Sequence, residues 1–190
     1  DETNTVVTLD QNTFVYDGQP HKPTVSVTFN GATLTENVDY EVYYLSSDQI
    51  MTWMNGEPVK FFGTGKEGCD SINAGQYYAI VFGKGNFAEN GRFAYAAYTI
   101  EKATVTEPTI ETKPYTGSEQ TADVTDTDLY TVEKNEGGTG VKENGCYDVV
   151  LELKDPANYK WSTTDNAQVT LQFKITRAEN EWTVDPSITG

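Results

Sequence analysis

The 190-residue chain has one histidine, two cysteines and 13 Lys+Arg against 29 Asp+Glu. Each shortage excludes something. A histidine-based triad would rest on His21 alone, and that residue sits between Pro20 and Pro23 in a segment that reads as a surface turn. Cys69 and Cys146 fall in different halves at non-equivalent positions, which disfavours a bond stapling one sandwich. Two thiols and one imidazole do not complete a four-ligand zinc site without carboxylates or a second chain, so no metal and no cofactor are assigned. No apolar run approaches the roughly 18 residues of a membrane helix, which argues against direct membrane insertion. The opening Asp1-Glu2-Thr3-Asn4 lacks the basic-then-apolar order of a signal peptide, so export is not legible from it. Divided at Lys102, the chain carries 6 basic and 13 acidic residues (−7) and then 7 and 16 (−9), giving the net −16. Acidity in both halves disfavours nucleic acid and anionic membrane surfaces as partners, and reads as solubility in a crowded or saline exterior.

Helix signals are also scarce. Short segments rich in Val, Ile, Thr, Tyr and Phe recur between Gly, Asn, Asp and Pro clusters, the pattern of an all-β chain. Val169–Thr176 alternates apolar and polar residues strictly, as a strand with one buried and one wet face requires. In Tyr147–Leu153 the same rule puts Tyr147, Val149, Leu151 and Leu153 on the inner face.

The halves echo each other. Phe14-Val15-Tyr16-Asp17-Gly18 matches Lys113-Pro114-Tyr115-Thr116-Gly117, each with a Tyr-x-Gly at a strand end. Ala74–Phe82 followed by Gly85-Asn86-Phe87 matches Asn144–Glu152 followed by Ala157-Asn158-Tyr159. Tyr98–Ala103 closes the first half as Phe173–Ala178 closes the second. With these motifs the chain resembles tandem MBG-type, bacterial immunoglobulin-like repeats of large cell-surface proteins. Further matches run through Gln120–Val124, Leu129–Val132 and Asn158–Trp161.

The resemblance implies two antiparallel immunoglobulin-like β-sandwich domains, at residues 1–102 and 103–178, with 179–190 as a linker or the start of a further repeat. It also implies a non-catalytic stalk or adhesion module, extracellular at a bacterial cell surface or cell wall. Its partners would be neighbouring repeats of the same polypeptide and a host glycan or surface protein. The junction at Glu101-Lys102-Ala103 has no Gly/Ser tract, which is expected to limit interdomain motion.

The first half departs from this pattern between Tyr44 and Ala74, where 29 residues stand in place of a short loop. This insertion, at about 46–73, carries Ile50, Met51, Trp53, Met54, Val59, Phe61 and Phe62. Ser47–Gly56 reads either as a capped helix of one or two turns or as an extra hairpin. Strand alternation turns Tyr77, Ala79 and Val81 inward with Ala96, Tyr98 and Ile100. It leaves Tyr78, Ile80, Phe82, Phe93, Tyr95 and Ala97 on the outer face, where the second half has mostly polar residues.

An open face of that size exceeds what soluble monomers usually show. The insertion is therefore expected to fold over it, Trp53, Phe61 and Phe62 packing on Ile80, Phe82 and Phe93. On that expectation Trp53→Ala costs about 3–5 kcal/mol. The competing expectation is that part of the face stays open for a sugar ring or a hydrophobic anchor of a partner, with Trp53, Tyr43, Tyr78 and Tyr95 as contacts.

Catalytic signals are weak. The many carboxylates show no glycosidase-like pair, and no catalytic residue is assigned. Asp123-x-x-Asp126-x-Asp128 lacks the glycine and distal glutamate of a calcium loop and reads as a solvated acidic turn. Gly63-Thr64-Gly65-Lys66 lacks the full spacing of a phosphate loop.

Overall fold

Burying alternate residues of short β-branched and aromatic segments requires a second layer, and the chain supplies it by pairing sheets. The computed structural model describes residues 4–56, 70–88, 93–141 and 146–178. It is an all-β protein with sandwich-like character and one α-helix among the described residues. The chain divides into two compact units: unit 1 comprises Asp1–Ala103 with Ala157–Tyr159, and unit 2 comprises Thr104–Pro156 with Lys160–Gly190.

In unit 1 the elements are β1 (Thr5–Leu9), β2 (Thr13–Val15), β3 (Val25–Phe29), β4 (Ala32–Thr33), β5 (Tyr40–Ser46), α1 (Ser47–Met54), β6 (Gly75–Gly83) and β7 (Phe93–Glu101). One sheet has the order β1-β3-β4 and the other β2-β7-β6-β5. Their facing residues make the core: Val25 and Val27 from one sheet meet Val42, Ala79, Val81 and Ile100 from the other.

Four buried tyrosines share that core, Tyr40, Tyr44, Tyr77 and Tyr98. A buried phenol needs a partner for its hydroxyl. Tyr40 donates to the Val25 carbonyl (3.1 Å), Tyr44 to Pro23 (2.6 Å) and Tyr77 to Asn73 (2.7 Å), while the Tyr98 and Ser71 hydroxyls meet at 2.7 Å. Tyr77 and Tyr98 stack with centroids 5.5 Å apart.

The inward assignment of Tyr77, Ala79, Val81, Tyr98 and Ile100 agrees with this core. His21 does not behave as an open turn residue. Its side chain is only 18% exposed, stacks on Phe14 at 4.8 Å and lies 2.8 Å from Asp17. Phe14 is an apolar platform, and the ring covers it.

In unit 2 and at its margins lie β8 (Ala103–Val105), β9 (Lys113–Pro114), β10 (Tyr130–Asn135), β11 (Tyr147–Leu153), β12 (Tyr159–Trp161), β13 (Gln168–Phe173) and β14 (Ile175–Thr176). The main sheet has the order β10-β11-β13, and β8 pairs β12 as β9 pairs β14. Val149, Leu151, Leu153, Trp161, Phe173 and Ile175 are buried. The Trp161 indole donates to the Ala167 carbonyl at 3.0 Å.

The strand read as continuous over Val169–Thr176 is interrupted at Lys174. Up to Phe173 it pairs antiparallel with β11, and from Ile175 it pairs parallel with β9. Alternation of side chains survives the change of partner, which is why sequence alone does not reveal it.

The two units repeat one register. In unit 1, β2 runs parallel to β7 with Phe14 opposite Ile100, and Tyr16 N–H donates to the Glu101 carbonyl at 2.8 Å. In unit 2, Lys113 stands opposite Ile175, and Tyr115 N–H donates to the Thr176 carbonyl at 2.8 Å. The glycine two residues on has φ +77° at Gly18 and +82° at Gly117, a region that costs other residues strain. The central strands agree too: Val42 faces Val81 and Tyr77 faces Tyr98, as Val132 faces Leu151 and Tyr147 faces Phe173.

Candidate functional site

The outer face of the β5-β6-β7 sheet sets unit 1 apart. Cross-strand partners put Leu45, Tyr78 and Ala97 in one row, Tyr43, Ile80 and Tyr95 in the next, and Glu41, Phe82 and Phe93 in the third. The equivalent face of unit 2 is polar. There Gln172 donates to Asp148 at 3.0 Å and Gln168 to Glu152 at 2.7 Å across β11 and β13. Lys134 adds ion pairs to Glu136 (3.3 Å) and Asp148 (3.6 Å).

Helix α1 lies against β5 and β6. Of the two readings of 47–56 the structure has the helix, and its N-cap is Ser46. The Ser46 hydroxyl accepts from Gln49 N–H while the Gln49 side chain accepts from Ser46 N–H, a reciprocal capping box. Gly56, with φ +81°, donates its N–H to the Trp53 carbonyl just past the helix end.

Ile50 and Trp53, three residues apart, are half-buried, whereas Met51 and Met54 are exposed. Trp53 reaches the sheet. Its ring lies 4.9 Å from Phe93 and 6.4 Å from Phe82. Phe82 also meets Tyr43 edge-on at 5.7 Å.

Coverage is uneven across the face. Leu45, Ile80 and Tyr43 are buried, at 0%, 1% and 9% exposure, while Phe93 and Tyr95 on the far strand remain 44% and 60% exposed. Tyr78 is half-buried and meets Tyr95 at 6.0 Å. The structure thus brings Trp53, Phe82 and Phe93 together and places Ile80 beneath the covered part of the face. Phe61 and Phe62 lie outside the described residues. Leu45, which the sequence reading passed over, is among the most deeply buried residues of this face. Its signal was its position two residues beyond Tyr43 on the same strand.

At one edge the face turns polar. Glu41 takes Lys84 Nζ at 2.7 Å and the Tyr43 hydroxyl at 2.9 Å. Lys84 first, then Tyr43, hold the Glu41 carboxyl below its ordinary range. Burial, followed by the bond to Glu41, raises the Tyr43 phenol.

Chemically this is a π-rich, apolar surface suited to packing against a flat apolar face, with one charged group fixed at its margin. Nucleophile and base do not converge on it among the described residues. His21 is engaged with Asp17, and the Ser71 hydroxyl with Tyr98. The acidic turn uses its carboxylates locally: Asp126 accepts from Val132 N–H at 2.7 Å and Asp123 from Lys113 at 2.6 Å. No group of three or more His, Cys, Asp or Glu suited to a metal occurs among the described residues. Gly63–Lys66 and Cys69 lie outside them. No family model matches the chain, and no curated protein does.

Proposed function

We propose that the chain is a pair of tandem immunoglobulin-like repeats of the MBG type, forming a non-catalytic structural and adhesive spacer of a bacterial surface protein. The observation that carries the reading is the register shared by the two units. In each, the strand leading into the Tyr-x-Gly runs parallel to the closing strand, and the tyrosine N–H is hydrogen-bonded to it. Tension applied through the chain ends loads such a pair in shear, so several hydrogen bonds resist together instead of parting one by one. That geometry suits a spacer that projects an adhesive surface. The passage of the N-terminal chain from β1 in one sheet to β2 in the other supports the immunoglobulin-like reading. Pulled end to end, the chain is expected to extend in two separate cooperative steps; a smooth extension without steps contradicts the reading.

A second reading is favoured by the exposure of Phe93 and Tyr95. The open part of the aromatic face then binds a glycan or a hydrophobic anchor of a host surface protein, with Tyr95, Tyr78, Tyr43 and Trp53 as contacts. A glycan array probed with the intact chain separates the two. Binding that disappears in Tyr95→Ala, with the circular dichroism unchanged, favours recognition, and an array without signal leaves the spacer alone.

A further inference from the structure

Strand β7 has a partner along most of its length on one side only. An unbroken register from Phe93 to Ile100 joins it to β6, whereas β2 reaches it at Thr99–Glu101 alone. β1 also comes near β7, but its ladder is with β3. The stretch Phe93–Ala97 is therefore a sheet edge. Thr99 donates its N–H to the Asn12 carbonyl, and the Glu101 carbonyl accepts from Tyr16 N–H, so the main-chain groups of both residues point away from β6. In an antiparallel ladder that direction alternates from residue to residue, so the groups of Phe93, Tyr95 and Ala97 point the same way. Among the described residues no strand pairs with them there.

All three residues are exposed, and their side chains lie on the outer face. Open N–H and C=O groups and the rings of Phe93 and Tyr95 thus belong to one surface. Sheet edges are normally blunted by charge, proline or a bulge. From Phe93 to Tyr98 there is no charged residue and no proline, and no register shift interrupts the pairing with β6. The edge strand β13 of unit 2 differs: its outward positions are Gln168, Thr170 and Gln172, and exposed Lys174 follows.

We propose that the Phe93–Ala97 edge takes an extended, basic segment of a partner protein as an added strand beside β7. Donors and acceptors recur along this edge at every second residue, about 6.6 Å apart, which is the repeat of an extended polypeptide. A glycan offers no such alternation of N–H and C=O. The added main chain bonds to Phe93, Tyr95 and Ala97, which gives affinity. Every second side chain of the added strand lies beside Phe93 and Tyr95, where a β-branched residue packs on the rings and gives selectivity. Charge decides between partners: at a net −16 a second copy is repelled and a basic segment is drawn in. The inference goes beyond the spacer and glycan readings and rests on neither.

The test is a titration of the full chain with the end-capped peptide Lys-Thr-Val-Thr-Val-Thr-Lys, followed by amide NMR and hydrogen exchange. In the free chain the amides of Phe93, Tyr95 and Ala97 are expected to exchange fast, and those of Ala94 and Ala96, which face β6, slowly. With peptide, the three fast amides shift and become protected. Ala97→Pro removes one outward N–H at an edge position that tolerates proline, and weakens binding about tenfold, the loss of one main-chain hydrogen bond. Ala97→Lys keeps every backbone group and weakens binding by setting a like charge against the peptide. Matching unfolding curves for parent and variants separate these losses from a folding defect. The same peptide N-methylated at the amides that face β7 is expected not to bind. Signals that stay fixed, or equal binding of the N-methylated peptide, overturn the proposal. Protection of the same amides on concentrating the chain alone also overturns it, because the edge then belongs to a second copy.

Discussion

Buried phenols and one nearly exposed carboxylate tie the stability of this molecule to pH from opposite ends. Burial first, then the carboxylates of Glu36 and Asp10, push the Tyr44 phenol up to about 12 from 10.0. A group whose folded value is raised contributes fully below its unfolded value, and its contribution fades as pH climbs through the folded one. Unfolding free energy is thus expected to fall between about pH 10 and about pH 12, and to fall less steeply in Tyr44→Phe. The variant also leaves the Pro23 carbonyl short of its donor, which costs about 1 kcal/mol at neutral pH. Denaturant titrations at several alkaline pH values measure both.

In unit 2 the Glu107 carboxylate accepts from Thr163 N–H (3.0 Å), Thr163 Oγ1 (2.6 Å) and the Ser162 hydroxyl. Desolvation acts to raise its pKa, but these bonds outweigh it and bring the group to about 2 from 4.5. Its contribution is present above the unfolded value and is lost as pH falls through the folded one. Glu107→Gln is therefore expected to flatten the acid limb between pH 4.5 and about 2, read as the change in unfolding free energy with pH. Of these residues the sequence exposed little. Glu107 and Ser162 lie 55 positions apart, and no local pattern joins them. The stacking of His21 on Phe14 was not legible either, because the two rings meet across a turn.

The elements were legible where side chains alternate and obscure where only partners change. Inward and outward faces of β6, β7 and β11 follow directly from alternation, because a period of two leaves no freedom once one face is buried. The break at Lys174 leaves the alternation intact and is set by the distant strand β9. Helix α1 was one of two readings of its segment, since an eight-residue helix offers too few turns for its period to stand out from chance. Its capping box tips the balance.

The docking of α1 also revises the cost of losing Trp53. This side chain is half-buried, so Trp53→Ala is expected to cost about 1–3 kcal/mol, less than a fully buried aromatic. An unfolding curve identical to that of the parent would mean that Trp53 does not hold the helix to the sheet.

At the scale of the whole molecule, two units share a strand register but differ in what the outer sheet face carries. Unit 2 closes that face with Gln–carboxylate pairs between strands, a surface water tolerates. Unit 1 carries rings there and covers only the half nearest α1. The contrast was readable in the sequence because aligned positions hold Phe82 against Glu152 and Tyr78 against Asp148. How far the cover extends was not readable, because it depends on where the insertion packs and not on the strand pattern.

The central claim is that each unit resists tension through its own parallel strand pair, β2 with β7 and β9 with β14, and single-molecule pulling addresses it directly. Tyr16→Pro and Tyr115→Pro remove equivalent N–H donors, to Glu101 and Thr176 respectively. The account predicts two unfolding steps in the parent chain. Each proline should lower the force of one step and spare the other, with the affected step changing between the two variants. Equal weakening of both steps by either variant, or no change in either step, would contradict it.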